Sequence, residues 1–306
     1  MVEPVHSPPV ASRRGILLAG GAGTRLDPMT RVISKQLLPI FDKPMVHYSL
    51  SVLMMAGVRE VLVISAPRDL AAFQYLLGTG EELGLQISYQ VQERPEGIAQ
   101  AFVLGREFVE GHPSVLILGD NLFFGQGLSA SLLNAAGQAH GATVFAYRVA
   151  DPERYGVLDL DDNGAIVDII EKPSEPPSPF AVTGLYFFDE KVGEMASRLE
   201  PSARGELEIT DLNRMYLASG ALEVEHLGRG VTWMDTGTPE ALLDAANFIH
   251  SIQERQGLQI GCLGEIAWRQ GFIDTDQLIA LSEEQPNAAT AEYLQRLARS
   301  EVQCAS

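Results

Sequence analysis

The chain has 306 residues, 46% of them hydrophobic, enough for one large domain or two modest ones with a sizeable core. Its formal net charge of −18 argues against a polynucleotide partner, whose binding rests on Lys and Arg displacing counterions, but leaves room for small phosphorylated ligands held by a few local cations or a divalent metal. Two cysteines, Cys262 and Cys304, are too few for a disulfide framework or a cysteine metal site, which fits a reducing cytoplasm, and no run reaches the roughly 18 apolar residues that span a bilayer.

Residues 1–14 carry Glu3, prolines and Arg13-Arg14 without an apolar stretch and read as a flexible tail lacking a secretory signal. Short apolar runs at 16–19, 61–65, 87–91 and 115–118, bounded by Gly, Pro or charged residues, predict buried strands. Between them Met45, Val46, Leu50, Leu53 and Met54 before Gly57, and Ala99, Phe102, Val103 and Phe108 before Gly111, recur with helical spacing. Strands alternating with helices imply a parallel sheet covered by helices. Beyond about residue 141 the runs 143–149, 157–160 and 181–188 are strand-like, and the turn signal at 161–164 predicts some antiparallel pairing. Residues 171–179 hold four prolines and two serines and read as a surface excursion, because strand patterning resumes directly afterwards. From Pro239 onward helical spacing dominates, as in Leu242, Leu243, Ala246 and Ile249 and again in Tyr293, Leu294 and Leu297. The expected architecture is α/β: a Rossmann-like core at 15–245 around a mixed, mainly parallel central sheet, then a small helical C-terminal subdomain at 246–306.

The strongest local signal is Leu17-Leu18-Ala19-Gly20-Gly21-Ala22-Gly23-Thr24-Arg25-Leu26, a strand running into a glycine-rich turn where backbone N–H groups can approach an anion. The third glycine of the dinucleotide fingerprint is missing, and no Gly-Lys-Ser/Thr completes a phosphate loop of the Walker kind. Arg25 and Lys35 supply fixed positive charge nearby, which favours an anion site over a purely structural turn. Asp120 follows the run 115–118, so its carboxylate should emerge at the carboxyl end of a strand, where open α/β sheets bind ligands. By themselves Asp120-Asn121 and Asp235-Thr236-Gly237 are equally compatible with turn or helix-capping roles. Read the same way, Glu171-Lys172 is a surface charge pair, Arg204 a solvated cation and Gln92 an exposed polar residue after a strand. The six histidines show no metal-ligand spacing, and no arrangement suggests a covalent nucleophile.

The 20–26 loop continues into Ser34-Lys35-Gln36-Leu37-Leu38-Pro39, and further blocks follow in order: Gln92, Gly97-Ile98-Ala99-Gln100-Ala101, Gly119-Asp120-Asn121, Arg154-Tyr155-Gly156-Val157, Glu171-Lys172-Pro173, Val182-Thr183-Gly184-Leu185-Tyr186, 202–210 and Trp233-Met234-Asp235-Thr236-Gly237. From Gly15 to about Asp274 the chain resembles the sugar-nucleotide pyrophosphorylases, and within them the glucose-1-phosphate thymidylyltransferase family. The resemblance implies the fold of nucleotide-diphospho-sugar transferases and Mg²⁺-assisted in-line attack of glucose 1-phosphate on dTTP, giving dTDP-glucose and pyrophosphate. That reaction is the first step towards dTDP-L-rhamnose and related deoxysugars.

The resemblance also implies roles. Gly20, Gly21, Gly23, Thr24 and Arg25, with Gln92, Gly97 and Asp120, would bind the nucleotide. Gly156, Glu171, Lys172, Val182 and Arg204 would bind the sugar phosphate. Asp120 and Asp235 would hold the metal, and Arg25, Lys35 and Lys172 would act in catalysis. Ala22 stands where the family often has Ser, leaving the grip to backbone and Arg25. Glu265, Ile266 and Arg269 resemble the region where family members bind the pathway's end product between subunits of a homotetramer. The rivals are the same chemistry with UTP or another sugar 1-phosphate, and a catalytically silent sugar-nucleotide sensor.

Overall fold

The computed structural model describes residues 13–21 and 23–304, so the tail before Arg13 and Ala22 lie outside the described residues. β1 (Arg14–Ala19) leads through the glycine turn and short 3-10 segments at Thr24–Leu26, Met29–Arg31 and Lys35–Leu37 to a small hairpin, β2 (Pro39–Ile40) and β3 (Lys43–Pro44). Then come α1 (Met45–Met55), β4 (Glu60–Ser65), α2 (Leu70–Leu77), β5 (Gln86–Val91), α3 (Gln100–Leu104), α4 (Arg106–Val109) and β6 (Ser114–Leu118). β7 (Asn121–Gly125), α5 (Leu128–Gly137), β8 (Ala142–Arg148), β9 (Gly156–Leu160), β10 (Ile166–Glu171), β11 (Phe180–Phe188), α6 (Val192–Ala196), α7 (Ile209–Ala218), β12 (Leu222–His226) and β13 (Val231–Asp235) follow. The chain ends in α8 (Pro239–Gln256), α9 (Leu263–Arg269), α10 (Thr275–Glu284) and α11 (Ala288–Cys304).

Nine of the described strands form one sheet, in the order β10-β9-β11-β6-β1-β4-β5, with β8 pairing β11 and carrying β12 on its other side. β6, β1, β4 and β5 are mutually parallel, whereas β11 runs antiparallel to β6, β8 and β9. This is a Rossmann-like α/β fold with a mixed sheet. Its two faces follow the strand period of two. Leu17, Val61, Val63, Val115 and Ile117 pack on one side with α1, α2 and α5, while Ile16, Leu18, Leu62, Ile64 and Leu116 pack on the other with α3, α6 and α7. β1 is therefore apolar at every step from Ile16, as a strand covered on both faces must be.

Three expectations are corrected. Residues 87–91 form an edge strand rather than a buried one: β5 ends the sheet, and Ser88 and Gln90 face solvent, matching the apolar-polar alternation of Ile87-Ser88-Tyr89-Gln90-Val91. The helical stretch after Ala99 is interrupted at Gly105, a poor helix former, into α3 and α4, and the close packing of Gly105 on the Ala101 carbonyl, Leu62 and Ile16, where an added Cβ would lie 3.0 to 3.2 Å away, disfavours a larger residue there. Arg13 and Arg14 belong to the fold and not to the tail. Arg14 opens β1, and the buried Arg13 guanidinium donates to the Ala136 and Phe188 carbonyls, closing the carboxyl end of α5.

β9 and β10 form a hairpin across residues 161–164, where the Gly164 N–H donates to the Asp161 carbonyl. Residues 172–179 loop out between β10 and β11 and are tied back where the Ser178 hydroxyl donates to the Leu158 carbonyl. α8 begins with Thr238 accepting from the Ala241 N–H, has Pro239 in its first turn, and stops at Gly257 with φ 65°. Its buried Ala245 and Ile249 pack with Ile40, Met45, Tyr48 and Leu122, so the helix straddles position 245 while lying on the core. Among the described residues no helix is long and apolar enough to cross a membrane.

Candidate active site

β1 and β6 run side by side in register, Leu18 against Leu118, so the chain leaves both at the same edge of the sheet. There the Gly119 N–H donates to the Leu18 carbonyl, and Asp120 emerges beside the glycine turn. Asp235 reaches the same place by a different route. β13 pairs antiparallel with β7 in a small separate sheet, setting Asp235 opposite Asn121, and Thr236 donates through both its N–H and its hydroxyl to the Asp120 carbonyl. Strand pairing thus brings together two carboxylates 115 residues apart.

Lys35 lies between them, its ammonium 2.5 Å from Asp120 Oδ2 and 3.9 Å from Asp235 Oδ1 with the side chain almost fully buried. The Arg154 guanidinium is 3.7 Å from Asp235 Oδ2. Gly237 leaves room for Arg25, since a Cβ there would lie 2.9 Å from both Arg25 Nη2 and Asp235 Oδ1. Asn121 locks the arrangement: its Nδ2 donates to Asp120, and its Oδ1 accepts from the Trp233 indole and the Gly184 N–H. Burial pushes the Asp120 carboxyl up, but the Lys35 ion pair and the Lys35 and Asn121 hydrogen bonds outweigh it and hold the group below the usual carboxylate range. Asp235 is raised by burial and by the neighbouring Asp120 charge, against Lys35, Arg25 and Arg154. Two neighbouring, partly buried carboxylates, one raised by the other, are a donor set that a divalent cation would relieve of mutual repulsion. Magnesium fits it, because that ion takes one or two carboxylates and completes its shell with water and phosphate oxygens. Among the described residues no three His, Cys, Asp or Glu side chains converge as a self-sufficient metal cage.

Away from the dyad, β11 forks. β9 and β6 occupy the same edge of β11 in succession, at Ala181 and at Leu185–Phe188, and the gap between them opens a cleft of about 420 Å³. Its lining brings together Arg25, Asp120, Gly156, Glu171, Lys172, Val182 and Asp235 from the sequence reading. It adds Asn121, Arg154, Tyr155, Gly184, Tyr186, Thr210, Asn213 and Trp233, to which the sequence reading gave no role. Most of these stand next to assigned residues or inside the ordered blocks, which was the available signal. Glu171 ends β10 and accepts from the Thr210 hydroxyl at 2.6 Å and from Arg204 at 3.3 Å. Lys172 takes a left-handed backbone, φ 45°, with its N–H donating to the Tyr155 carbonyl. A bulky residue rarely adopts that conformation unless its surroundings impose it. Burial and the Asp235 charge push the Tyr155 hydroxyl up to about 12, against the cations of Arg154 and Arg25.

Other sequence-assigned residues lie differently. Gln92 is buried rather than exposed: its Nε2 donates to Gln100 Oε1 at 2.7 Å, and its own Oε1 presses on Gly20, where a Cβ would be 1.9 Å away. Gly97, with φ 108°, packs on Leu207, and a Cβ would lie 2.3 Å from that residue's carbonyl oxygen. Gly21 and Gly23 also have positive φ, and Gly23 accepts from the Thr30 hydroxyl, so the turn's shape depends on glycine. Thr24 opens the 3-10 turn that buries Leu26 and carries Arg25. Arg204 does not line the cleft; Glu208 takes both its Nε and Nη2, leaving it at the rim where it reaches Glu171. Glu265, Ile266 and Arg269 do not line that cleft but a second cavity of about 290 Å³ shared with Phe124 and Leu128, and Glu265 accepts from Arg269 and Tyr293.

The chain matches the nucleotidyl transferase family model over residues 14–252. It is 55% identical over 284 residues to the glucose-1-phosphate thymidylyltransferase of Neisseria meningitidis, covering 93% of this chain and 99% of that one. It is 49% identical over 284 residues to its counterpart in Mycobacterium tuberculosis, covering 93% and 98%. A solved Bacillus anthracis structure assigned to the same activity superposes with a TM-score of 0.72 at 39% identity, covering 78% of this chain and 95% of that one. A UDP-glucose pyrophosphorylase solved with UDP-glucose gives a TM-score of 0.69 at 25% identity, covering 78% and 99%. With an aspartate dyad and a polar cleft at the carboxyl ends of β1 and β6, and with near-complete alignment to these relatives, the chain belongs to the glucose-1-phosphate thymidylyltransferase family of nucleotidyl transferases.

Proposed function

We infer that this enzyme transfers the thymidylyl group of dTTP to α-D-glucose 1-phosphate, giving dTDP-glucose and pyrophosphate. The observation that carries the reading is the cleft itself. One end holds two carboxylates ringed by Lys35, Arg25 and Arg154, and the other holds Glu171, Lys172 and Thr210. A triphosphate with a metal suits the first end and a phosphorylated sugar the second.

In the reaction a phosphate oxygen of glucose 1-phosphate forms a bond to the α-phosphorus of dTTP. The bond from that phosphorus to the α,β-bridging oxygen breaks, and its electron pair leaves with pyrophosphate. No general base is required, because the attacking phosphate is already anionic at neutral pH. Catalysis is then positioning and charge neutralisation. Asp120 and Asp235 would hold Mg²⁺, which when bound supplies positive charge at the phosphate oxygens. Arg25 offsets charge building on the departing pyrophosphate. Lys35 gives up part of its grip on the carboxylates to the incoming phosphates. Lys172, held at its unusual φ, orients the sugar phosphate, while Glu171 accepts from sugar hydroxyls beside Gly156 and Val182. Arg204, released from Glu208, would reach the same phosphate. Gly20, Gly21, Gly23 and Thr24 shape the triphosphate turn, and Gln92 with Gly97 faces the base.

The cavity at Glu265, Ile266 and Arg269 is assigned to feedback binding of a downstream dTDP-sugar. The helices after residue 245 would form the subdomain that assembles a homotetramer. Light scattering and inhibition by added dTDP-rhamnose test this pair of assignments. The reaction itself is tested by pyrophosphate release with glucose 1-phosphate and each nucleoside triphosphate in turn, with and without Mg²⁺. Turnover that ignores Mg²⁺, or that prefers UTP, would overturn the reading.

A further inference from the structure

α7 buries Ile209, Thr210, Leu212, Asn213 and Tyr216 along one face. Ile209 and Leu212 pack in the core, the Thr210 hydroxyl donates to Glu171, and the Tyr216 hydroxyl donates to Asp189. Asn213 alone of the five is unexplained. Its side chain is 1% exposed and lines the cleft, yet its Oδ1 has no hydrogen-bond partner. A buried carbonyl oxygen without a donor is costly, and native structures rarely keep one unless something supplies the donor.

We propose that Asn213 reads a hydroxyl of the hexose ring and so determines specificity for the sugar phosphate; this rests on the reaction inferred above. Asn213 lies three residues beyond Thr210 on α7, hence one turn along the same face, and Thr210 is bonded to Glu171 at the sugar end of the cleft. An acceptor oxygen repels phosphate and carboxylate, so its partner carries a proton. A hydroxyl both donates and accepts, so it satisfies the amide whichever way round the amide lies. A ligand hydroxyl in the cleft would complete the bond.

The test compares pyrophosphate release from glucose 1-phosphate and from its 2-, 3-, 4- and 6-deoxy analogues, using the wild-type enzyme, Asn213→Leu and Asn213→Ser. In the wild type one deoxy analogue should lose roughly 10–100-fold in kcat/KM relative to the others, the cost of leaving the amide unpaired. In Asn213→Leu glucose 1-phosphate should fall by a similar factor, and the penalty for that one analogue should vanish. The KM for dTTP should stay unchanged, and the thermal midpoint should be equal or higher because the unpaired oxygen is gone. Asn213→Ser, which keeps an oxygen with shorter reach, should give partial discrimination and carries the comparison if the leucine variant folds poorly. Turnover with every analogue penalty preserved in both variants, or a lower midpoint with discrimination intact, overturns the inference and marks Asn213 as the holder of a structural water. Absence of wild-type turnover overturns the inferred reaction, and this assignment falls with it.

Discussion

Lys172 separates a backbone role from a side-chain role, and three substitutions can tell them apart. Its φ of 45° puts it in the left-handed region, which costs a non-glycine residue about 1–2 kcal/mol. The side chain is half exposed, and its ammonium lies 3.4 Å from Glu171 Oε1, a surface pair worth about 0–1 kcal/mol. Lys172→Gly relieves the conformational cost but loosens the unfolded chain, so its stability should lie within about 1 kcal/mol of wild type. Lys172→Asn tolerates the left-handed region and should be nearly neutral. Lys172→Val is β-branched and should lose a further ~1–2 kcal/mol, seen as a lower urea midpoint at unchanged slope. The activity order differs, because none of the three carries a cation. All should lose roughly 100-fold or more in kcat/KM for glucose 1-phosphate while the KM for dTTP moves little. If activity follows stability, with Lys172→Asn retaining wild-type kcat/KM, the ammonium does no chemistry and the residue matters only for the turn after β10.

Lys35→Met removes the buried partner of a part-buried ion pair and should destabilise the free protein by about 1–3 kcal/mol near pH 8, less than for a fully buried pair because Asp120 keeps some contact with water. In the variant Asp120 loses the cation that held its carboxyl low, so burial raises it as it already raises Asp235. The folded state then binds extra protons, so the variant is least penalised below the ordinary carboxylate pKa, and its stability falls as pH rises through the raised folded values. Urea midpoints at about pH 5 and pH 8 check this, and a loss equal at both would refute it. Gly20→Ala places a methyl 1.9 Å from Gln92 Oε1 and should displace the Gln92 amide, raising the KM for dTTP about tenfold without changing that for glucose 1-phosphate. Gly97→Ala would meet the Leu207 carbonyl oxygen at 2.3 Å in a positive-φ conformation, and should raise both KM values in steady-state assays.

What could be read from the sequence follows from how locally each feature is encoded. The strands of the parallel half were visible because the residues that bury them are contiguous, as at Ile16-Leu17-Leu18-Ala19. β5 was misjudged because apolar residues alternate with polar ones there, and its place at the sheet edge depends on partners far along the chain. Asp120 could be placed at a strand end, but its proximity to Asp235 depends on the register of β7 with β13, which no local pattern records. Gln92 looked like a surface residue, and it is the arrival of Gln100 from α3 and of Gly20 from the turn after β1 that covers it. Arg204 was expected among the sugar-phosphate contacts, and it sits at the rim, held there by Glu208 at the N-cap of α7 through a loop geometry that no periodicity records.

The two ends of the cleft are built differently, and they are joined at one seam. The end proposed for the triphosphate is made by strand ends and glycine turns, where the backbone sets the geometry. The end proposed for the sugar is made by side chains from β9 to β11 and from α7. The seam is Leu207, whose N–H donates to the Glu96 carbonyl at 2.7 Å and whose carbonyl accepts from the Ala99 N–H at 3.1 Å. Those bonds bracket Gly97, and two residues beyond Leu207 the chain enters α7, which carries Thr210 and Asn213. A base resting against Gly97 would therefore stiffen the entry to the helix that faces the sugar. Gly20 is further removed, because it reaches the seam only through the side chains of Gln92, Gln100 and Glu96 in turn, where a shift can be absorbed before Leu207. The seam is why Gly97→Ala should disturb both substrates while Gly20→Ala disturbs one. A Gly97→Ala enzyme impaired for dTTP alone would mean that the two ends act independently despite the bonds that join them.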